Sequence, residues 1–152
     1  MLPLTLTVQG LIVDWELFQD SVPADSQLLQ ASLQRTEKKL NVEIGKAVTD
    51  RGFDSQHNQQ FLDREEIFNG MCPRGPSQLK KRMEEKEFAA LQKRRSQTEG
   101  RIGVFKNVFL GRPLRAKGFE NRQRAVAWAV LTHNLWVLAR MEWKEEEAKK
   151  AA

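Results

Sequence analysis

Two acidic residues in this chain stand where a carboxylate could do chemistry. Asp50 closes the β-prone run Gly45-Lys46-Ala47-Val48-Thr49-Asp50 and is followed by Arg51-Gly52-Phe53. A carboxylate at the C-terminal end of a strand, with a glycine beside it where backbone can approach closely, sits where open α/β sheets build their sites. The plain alternative is a turn-forming aspartate. Glu99 lies in the run Arg94 to Lys106, which lacks proline and ends in apolar residues at helical spacing. Gly100 and Gly103 each weaken a helix there by about 1 kcal/mol. Steps of three and four residues put Arg95, Glu99, Ile102 and Lys106 on one helical face, so one carboxylate stands between two cations. A solvated face with intrahelical ion pairs would have the same spacing.

The charge distribution sharpens this pairing of acid and base. The 152 residues carry a net charge of +5, but residues 1–73 hold 6 Lys and Arg against 11 Asp and Glu, while residues 74–124 hold 15 against 5. A cationic segment beside an acidic one fits a surface that holds a polyanion next to a site that holds metal. A basic helix that is merely soluble is the alternative. With 40% hydrophobic and 30% charged residues the composition is that of a globular domain. The single Cys72 can form no internal disulfide, and no run is long and apolar enough to span a bilayer, so a cytoplasmic protein is expected. No internal repeat, CxxC pair, phosphate-binding glycine loop or nucleophile elbow is present.

The elements that must position these residues can be read in order. Leu2, Leu4, Leu6 and Val8 alternate with polar residues, Gln9-Gly10 signals a turn, and Leu11, Val13, Trp15 and Leu17 alternate against Ile12, Asp14 and Glu16; residues 1–18 are expected to form a β-hairpin. Asp25 or Ser26 can cap an amphipathic helix over 26–40. Residues 45–50 are read as the strand that ends in Asp50, 54–64 as a helix, and 65–72 as a further short strand stopped by Pro73. Cys72 there is expected to be a small buried hydrophobe. Residues 78–109 form a helical region carrying Glu99, either unbroken or bent near Ser96, and Gly111 to Gly118 is a cationic loop. The helix over 120–141 is apolar around most of its circumference, which predicts burial on several sides, with His133 as a satisfied core histidine; 144–152 is a charged tail.

The run containing Glu99 resembles the third-carboxylate signature of DDE-type bacterial insertion-sequence transposases. That signature has a Tyr, an Arg after two further residues, a Glu after three more and a Lys after six more. Arg95, Glu99 and Lys106 match the last three, and Gln92 stands in the place of the Tyr. Gly111-Arg112 and His133-Asn134-Leu135 extend the likeness. Asp50-Arg51-Gly52-Phe53, followed by Ser55 and Asn58, is similar to the family's second-aspartate region. Pro23-Ala24-Asp25-Ser26-Gln27-Leu28-Leu29 resembles the segment before its first helix.

The resemblance implies an α/β fold: a ribonuclease H-like mixed sheet flanked by helices, incomplete at its N-terminal side, with a helical C-terminal half. It makes residues 1–143 a partial catalytic domain, with Asp50 and Glu99 as second and third acidic ligands of a Mg²⁺ or Mn²⁺ pair. It also implies DNA contacts from Arg94, Arg95, Arg101, Lys106, Arg112, Arg115 and Lys117. The family's first aspartate has no counterpart in matching context, because Asp14, the early carboxylate, falls on the second strand of the hairpin. The expectation is therefore a transposase fragment, impaired or inactive alone, that acts on transposon ends and target DNA near the bacterial nucleoid. An upstream transposase fragment or a second copy would be its partner. A non-catalytic basic DNA-binding protein, or a helical protein–protein module, is the competing expectation.

Overall fold

The computed structural model describes the backbone of residues 2–7, 9–111 and 113–151 and side chains as far as Trp143. Met1, Val8, Arg112 and Ala152 lie outside the described residues. The fold is mixed α/β and mostly helical. It divides into two compact units, one made of Met1–Gln19 and Glu99–Ala152, the other of Asp20–Thr98.

The first unit starts with β1, Leu4–Leu6, and β2, Ile12–Trp15, an antiparallel pair joined through Gly10 at φ +99°. The pairing aligns Leu4 with Trp15 and Leu6 with Ile12, with a register shift between Thr5 and Leu6. Ile12 and Asp14 are the buried residues of β2, whereas Leu11, Val13, Trp15 and Leu17 are only half-buried, the reverse of the alternation expected. The unit's principal helix is α5, Phe119–Ala151, which also takes in the residues expected as a tail. Ile12, Phe105, Val126, Ala129 and Val130 form its core, with Leu2, Leu4, Leu6, Trp15, Phe109 and Leu110 packed around them.

A single asparagine fastens helix to hairpin. Asn134 Oδ1 accepts from Ile12 N at 2.9 Å, and Asn134 Nδ2 donates to Ile12 O at 2.8 Å. The amide thereby supplies both hydrogen bonds that a neighbouring strand would give one residue. His133 beside it is 1% exposed, with its Nδ1 3.3 Å from Asn134 Oδ1 and the rings of Phe105 and Phe109 edge-on at 5.6 and 5.1 Å. It is a core histidine with a partner, as expected.

Helix α5 departs from the expectation of burial on several sides. Val126, Ala129, Val130, His133 and Val137 are buried, but Trp128, Leu131, Leu135, Trp136 and Leu138 are exposed. Its apolar residues call for two covering surfaces, and among the described residues one face is covered.

In the second unit α1, Asp25–Leu40, follows the extended residue Ala24, which offers no side-chain cap; neither Asp25 nor Ser26 is the cap. Asp25 instead sits in the first turn, where its charge favours the helix dipole. Asn41, in the left-handed region, ends the helix. Next come β3, Lys46–Ala47, and, after α2, Gln56–Arg64, the strand β4, Phe68–Asn69, parallel to β3. Phe68 N to Gly45 O, Gly70 N to Ala47 O and Cys72 N to Thr49 O continue the parallel bonding to the residue before Asp50. Leu29, Leu33, Ala47, Phe61, Leu62, Ile67 and Met71 make the core of this unit, and Cys72 is buried.

The helical region after Pro73 breaks between α3, Pro76–Arg82, and α4, Lys86–Val104, rather than near Ser96, which lies inside α4. Five residues of π-helix, Phe105–Phe109, follow. Gly100 and Gly103 fall in the α4 interior, and a Cβ built at either meets nothing within 4 Å.

Two outcomes are expected in urea titrations monitored by circular dichroism. Asn134→Ala should destabilise by about 2–4 kcal/mol, since both polar groups of Ile12 lose their partner away from water. Gly100→Ala should stabilise by about 0.5–1 kcal/mol, because it restricts the unfolded chain without steric penalty in the helix.

Candidate functional site

Asp50 stands at the end of the parallel pair. It is exposed, extended at φ −78° and ψ −177°, and starts a single 3₁₀ turn over Arg51–Phe53, where its Oδ1 accepts from Gly52 N at 2.9 Å. Gly52 lies between two carboxylates: a Cβ built there would come 2.6 Å from Asp25 Oδ2 and 3.2 Å from Asp50 Oδ1. The absence of a side chain thus lets the first turn of α1 bring a second acid beside Asp50. Spacing alone offers Asp25 as a helix cap and not as a neighbour of Asp50.

A fully buried amide holds this loop against α1. Asn58 Nδ2 donates to Phe53 O at 2.8 Å and to Ser26 O at 2.9 Å, while Asn58 N donates to Ser55 Oγ at 3.2 Å to cap α2. Asn58 therefore ties the residues after Asp50 to the start of α1. Asp54 completes the loop by accepting from Arg74 N at 3.0 Å and from Gln59 Nε2 at 2.7 Å. Arg74 Nε donates to Arg51 O at 3.4 Å, so this guanidinium braces the loop.

On α4, Arg95 is anchored through Gln92. The Gln92 side chain is buried; its Nε2 donates to Gly70 O at 2.8 Å and its Oε1 accepts from Arg95 Nε at 3.1 Å. The amide that replaces the tyrosine of the resembled signature thus connects Arg95 to the end of β4. Helix α4 is unbroken from Lys86 to Val104, so Arg95, Glu99 and Ile102 share a face as expected, and Lys106 follows within the π-helical turn.

The predicted residues are divided between the units. Asp50, Arg94 and Arg95 belong to the unit of residues 20–98; Glu99, Arg101, Lys106, Arg115 and Lys117 belong to the other. Glu99, Arg94, Arg115 and Lys117 are exposed, and Lys106 is half-buried. The Arg101 guanidinium packs so closely over Gly10 that a Cβ at Gly10 would overlap it. Asp14 is 2% exposed on β2, bonded within its surroundings. Arg112 is outside the described residues.

Carboxylate oxygens are the right donors for Mg²⁺ or Mn²⁺. Their number falls short, because no group of three His, Cys, Asp or Glu able to hold a metal ion occurs among the described residues. Asp50 and Asp25 flanking Gly52 make a two-acid arrangement. No helix among the described residues is long and apolar enough to cross a membrane.

The family model for the transposase DDE domain matches residues 4–135, a span that includes Asp50, Gln92, Arg95, Glu99 and Lys106. No curated protein and no solved structure matches significantly.

Crowding at Gly52 can be measured. Gly52→Ala should cost about 1–3 kcal/mol by overpacking against Asp25, and Asp25→Ala in the same chain should recover part of that loss in a double-mutant cycle of urea unfolding.

Proposed function

Because the chain belongs to the transposase DDE domain family, we propose that Asp50 and Glu99 are the second and third acids of a site for DNA cleavage and strand transfer. The observation that carries the reading is the match over residues 4–135, which spans both acids in the family's order. The placement of Asp50 next to the last bonded residue of a parallel strand pair agrees with it.

The reaction is phosphodiester exchange at the ends of a mobile element. Water attacks phosphorus and the 3′ oxygen leaves, giving a 3′-OH; that hydroxyl then attacks a target phosphodiester, one P–O bond forming as another breaks. Divalent cations, when bound, would supply activation of the attacking oxygen and stabilisation of the leaving one. The chain's own part is to orient and to grip. Asp50 and Glu99 are the oxygen donors, with Asp50 held in position by Gly52 N. Arg95, braced by Gln92, and Lys106 would steady phosphates near Glu99. Arg94, Arg101, Arg112, Arg115 and Lys117 would add sequence-independent hold by counterion release. Proteins doing this work act on transposon ends and target DNA at the bacterial nucleoid.

On this reading Asp50 and Glu99 supply two of the family's three acids, and turnover by this chain alone is expected to be poor. The excess of cations over residues 74–124, 15 Lys and Arg against 5 Asp and Glu, favours a second reading, a non-catalytic basic protein that occupies DNA.

Supercoiled plasmid with Mn²⁺ separates the readings. If the chain is catalytic, Asp50→Asn and Glu99→Gln should each reduce nicking by about 100-fold or more while DNA affinity changes less than about threefold. Addition of a polypeptide carrying the family's first aspartate should raise nicking by the unsubstituted chain. A chain that binds DNA with steep salt dependence, yet never nicks with or without that addition, would establish the second reading.

A further inference from the structure

Leu17, Phe18 and Gln19, which follow β2, and Gly118, Phe119 and Arg122, where α5 begins, line a cleft of about 230 Å³ within the first unit. Phe18 and Phe119 are half-buried there, yet neither belongs to the unit's hydrophobic core. Neither ring stacks on another aromatic ring among the described residues. Two phenyl groups beside an open space, with no part in the core, offer a platform to a flat ligand.

The charges around the cleft narrow the choice of ligand. Its lining holds one cation, Arg122, and no carboxylate. Arg122 is exposed, and its Nε donates to Ala116 O at 3.2 Å, a bond that orients the plane of the guanidinium. Glu120, the acid nearest to it in the chain, is paired with Arg124 at 3.5 Å instead. Residues 113–124 carry Arg115, Lys117, Arg122 and Arg124 against Glu120 alone. A flat ring joined to a negative group is the chemistry of a nucleotide, since bases stack on aromatic side chains and guanidinium takes phosphate. The volume lies below the roughly 300–1,000 Å³ that receives a whole drug-sized ligand, so it suits one base with its phosphate outside. Within a duplex both faces of a base are covered by its neighbours, and only an unpaired nucleotide can enter.

We propose that this cleft binds one unpaired nucleotide of single-stranded DNA, with the base against Phe18 and Phe119 and the adjoining phosphate on Arg122. The ligand class rests on the reading of this chain as a DNA-binding member of its family, and not on its cleavage acids. Opening a strand frees such nucleotides, and Arg115 and Lys117, both exposed just before the cleft in the chain, are placed to hold the backbone that leads to it.

Fluorescence anisotropy of the full chain, without divalent cations, tests this on three short labelled duplexes. One is blunt, one carries a single-stranded thymidine tail, and one carries a tail of equal length made of abasic sugars. The two tails have the same phosphates, so their difference isolates the base. The thymidine tail should bind about tenfold more tightly than the abasic tail. Phe18→Ala and Phe119→Ala, with helix content checked by circular dichroism, should each cut that difference to about threefold or less and leave binding of the blunt duplex within about twofold. Arg122→Gln should weaken both tailed duplexes by about threefold with the blunt one unchanged. The comparison of tails on the unsubstituted chain needs no variant to fold. Equal affinity for the two tails would overturn the proposal while leaving the DNA reading in place. A full thymidine preference in both phenylalanine variants would overturn it too, by putting the base elsewhere. Failure to bind any of the three duplexes at low salt would remove the DNA reading and the proposal with it.

Discussion

The hairpin unit depends on two hydrogen bonds from one side-chain amide. A two-stranded ribbon is marginal by itself in water, and β2 contributes only four residues to the pairing. Asn134 removes the difficulty by presenting an acceptor and a donor to Ile12, so that α5 serves as a third strand for the length of one residue. Apolar packing then closes around the fastening: Ile12 is 3% exposed, and Val126 and Phe105 are fully covered. An amide is suited to this because it alone among neutral side chains offers a donor and an acceptor at the spacing of a peptide group. A serine or a leucine at residue 134 would leave at least one group of Ile12 without a partner.

The second unit repeats the device for a different purpose. Asn58 is wholly buried and binds Ser26 O and Phe53 O across the gap between α1 and the loop after Asp50. Because that loop is fixed from behind, the 3₁₀ turn and its bond from Gly52 N to Asp50 hold the carboxylate outward. Buried polar groups are tolerated when every atom is satisfied, and no buried side-chain nitrogen or oxygen among the described residues lacks a partner. The position of the acid therefore follows from one buried side-chain amide and one glycine, with no charge opposite it required.

Much of this was legible beforehand, for reasons that differ by residue. The hairpin, the helix over 25–40, the strand leading to Asp50 and the helix bearing Glu99 all announced themselves through periodicity and turn residues, which are local properties of the chain. The faces of β2 were misread because alternation defines two faces without saying which one meets the core, and the contact that holds Ile12 inward comes from Asn134, 122 residues away. Neither Asn58 nor Asn134 could be recognised as a fastening from spacing, since their partners lie 32 and 122 residues away. Asp25 became a neighbour of Asp50 only through the tertiary approach of α1 to Gly52. The apolar circumference of α5 was visible, but an apolar pattern states a demand for cover and not where the cover comes from.

The arginines of the basic segment show why charge and chemistry must be counted separately. Arg82 lies 4.3 Å over the Phe88 ring and donates to Asn69 O, Arg95 grips Gln92, Arg122 donates to Ala116 O, and Arg101 lies on the bare backbone of Gly10. Each of these uses the flat, forked shape of guanidinium and not only its charge. Lysine in the same four places would preserve the net charge at neutral pH while removing the stacking face and the directed N–H groups. The preference for arginine there is thus a matter of carpentry as much as of electrostatics, and a variant with the same net charge at neutral pH would still loosen the joints.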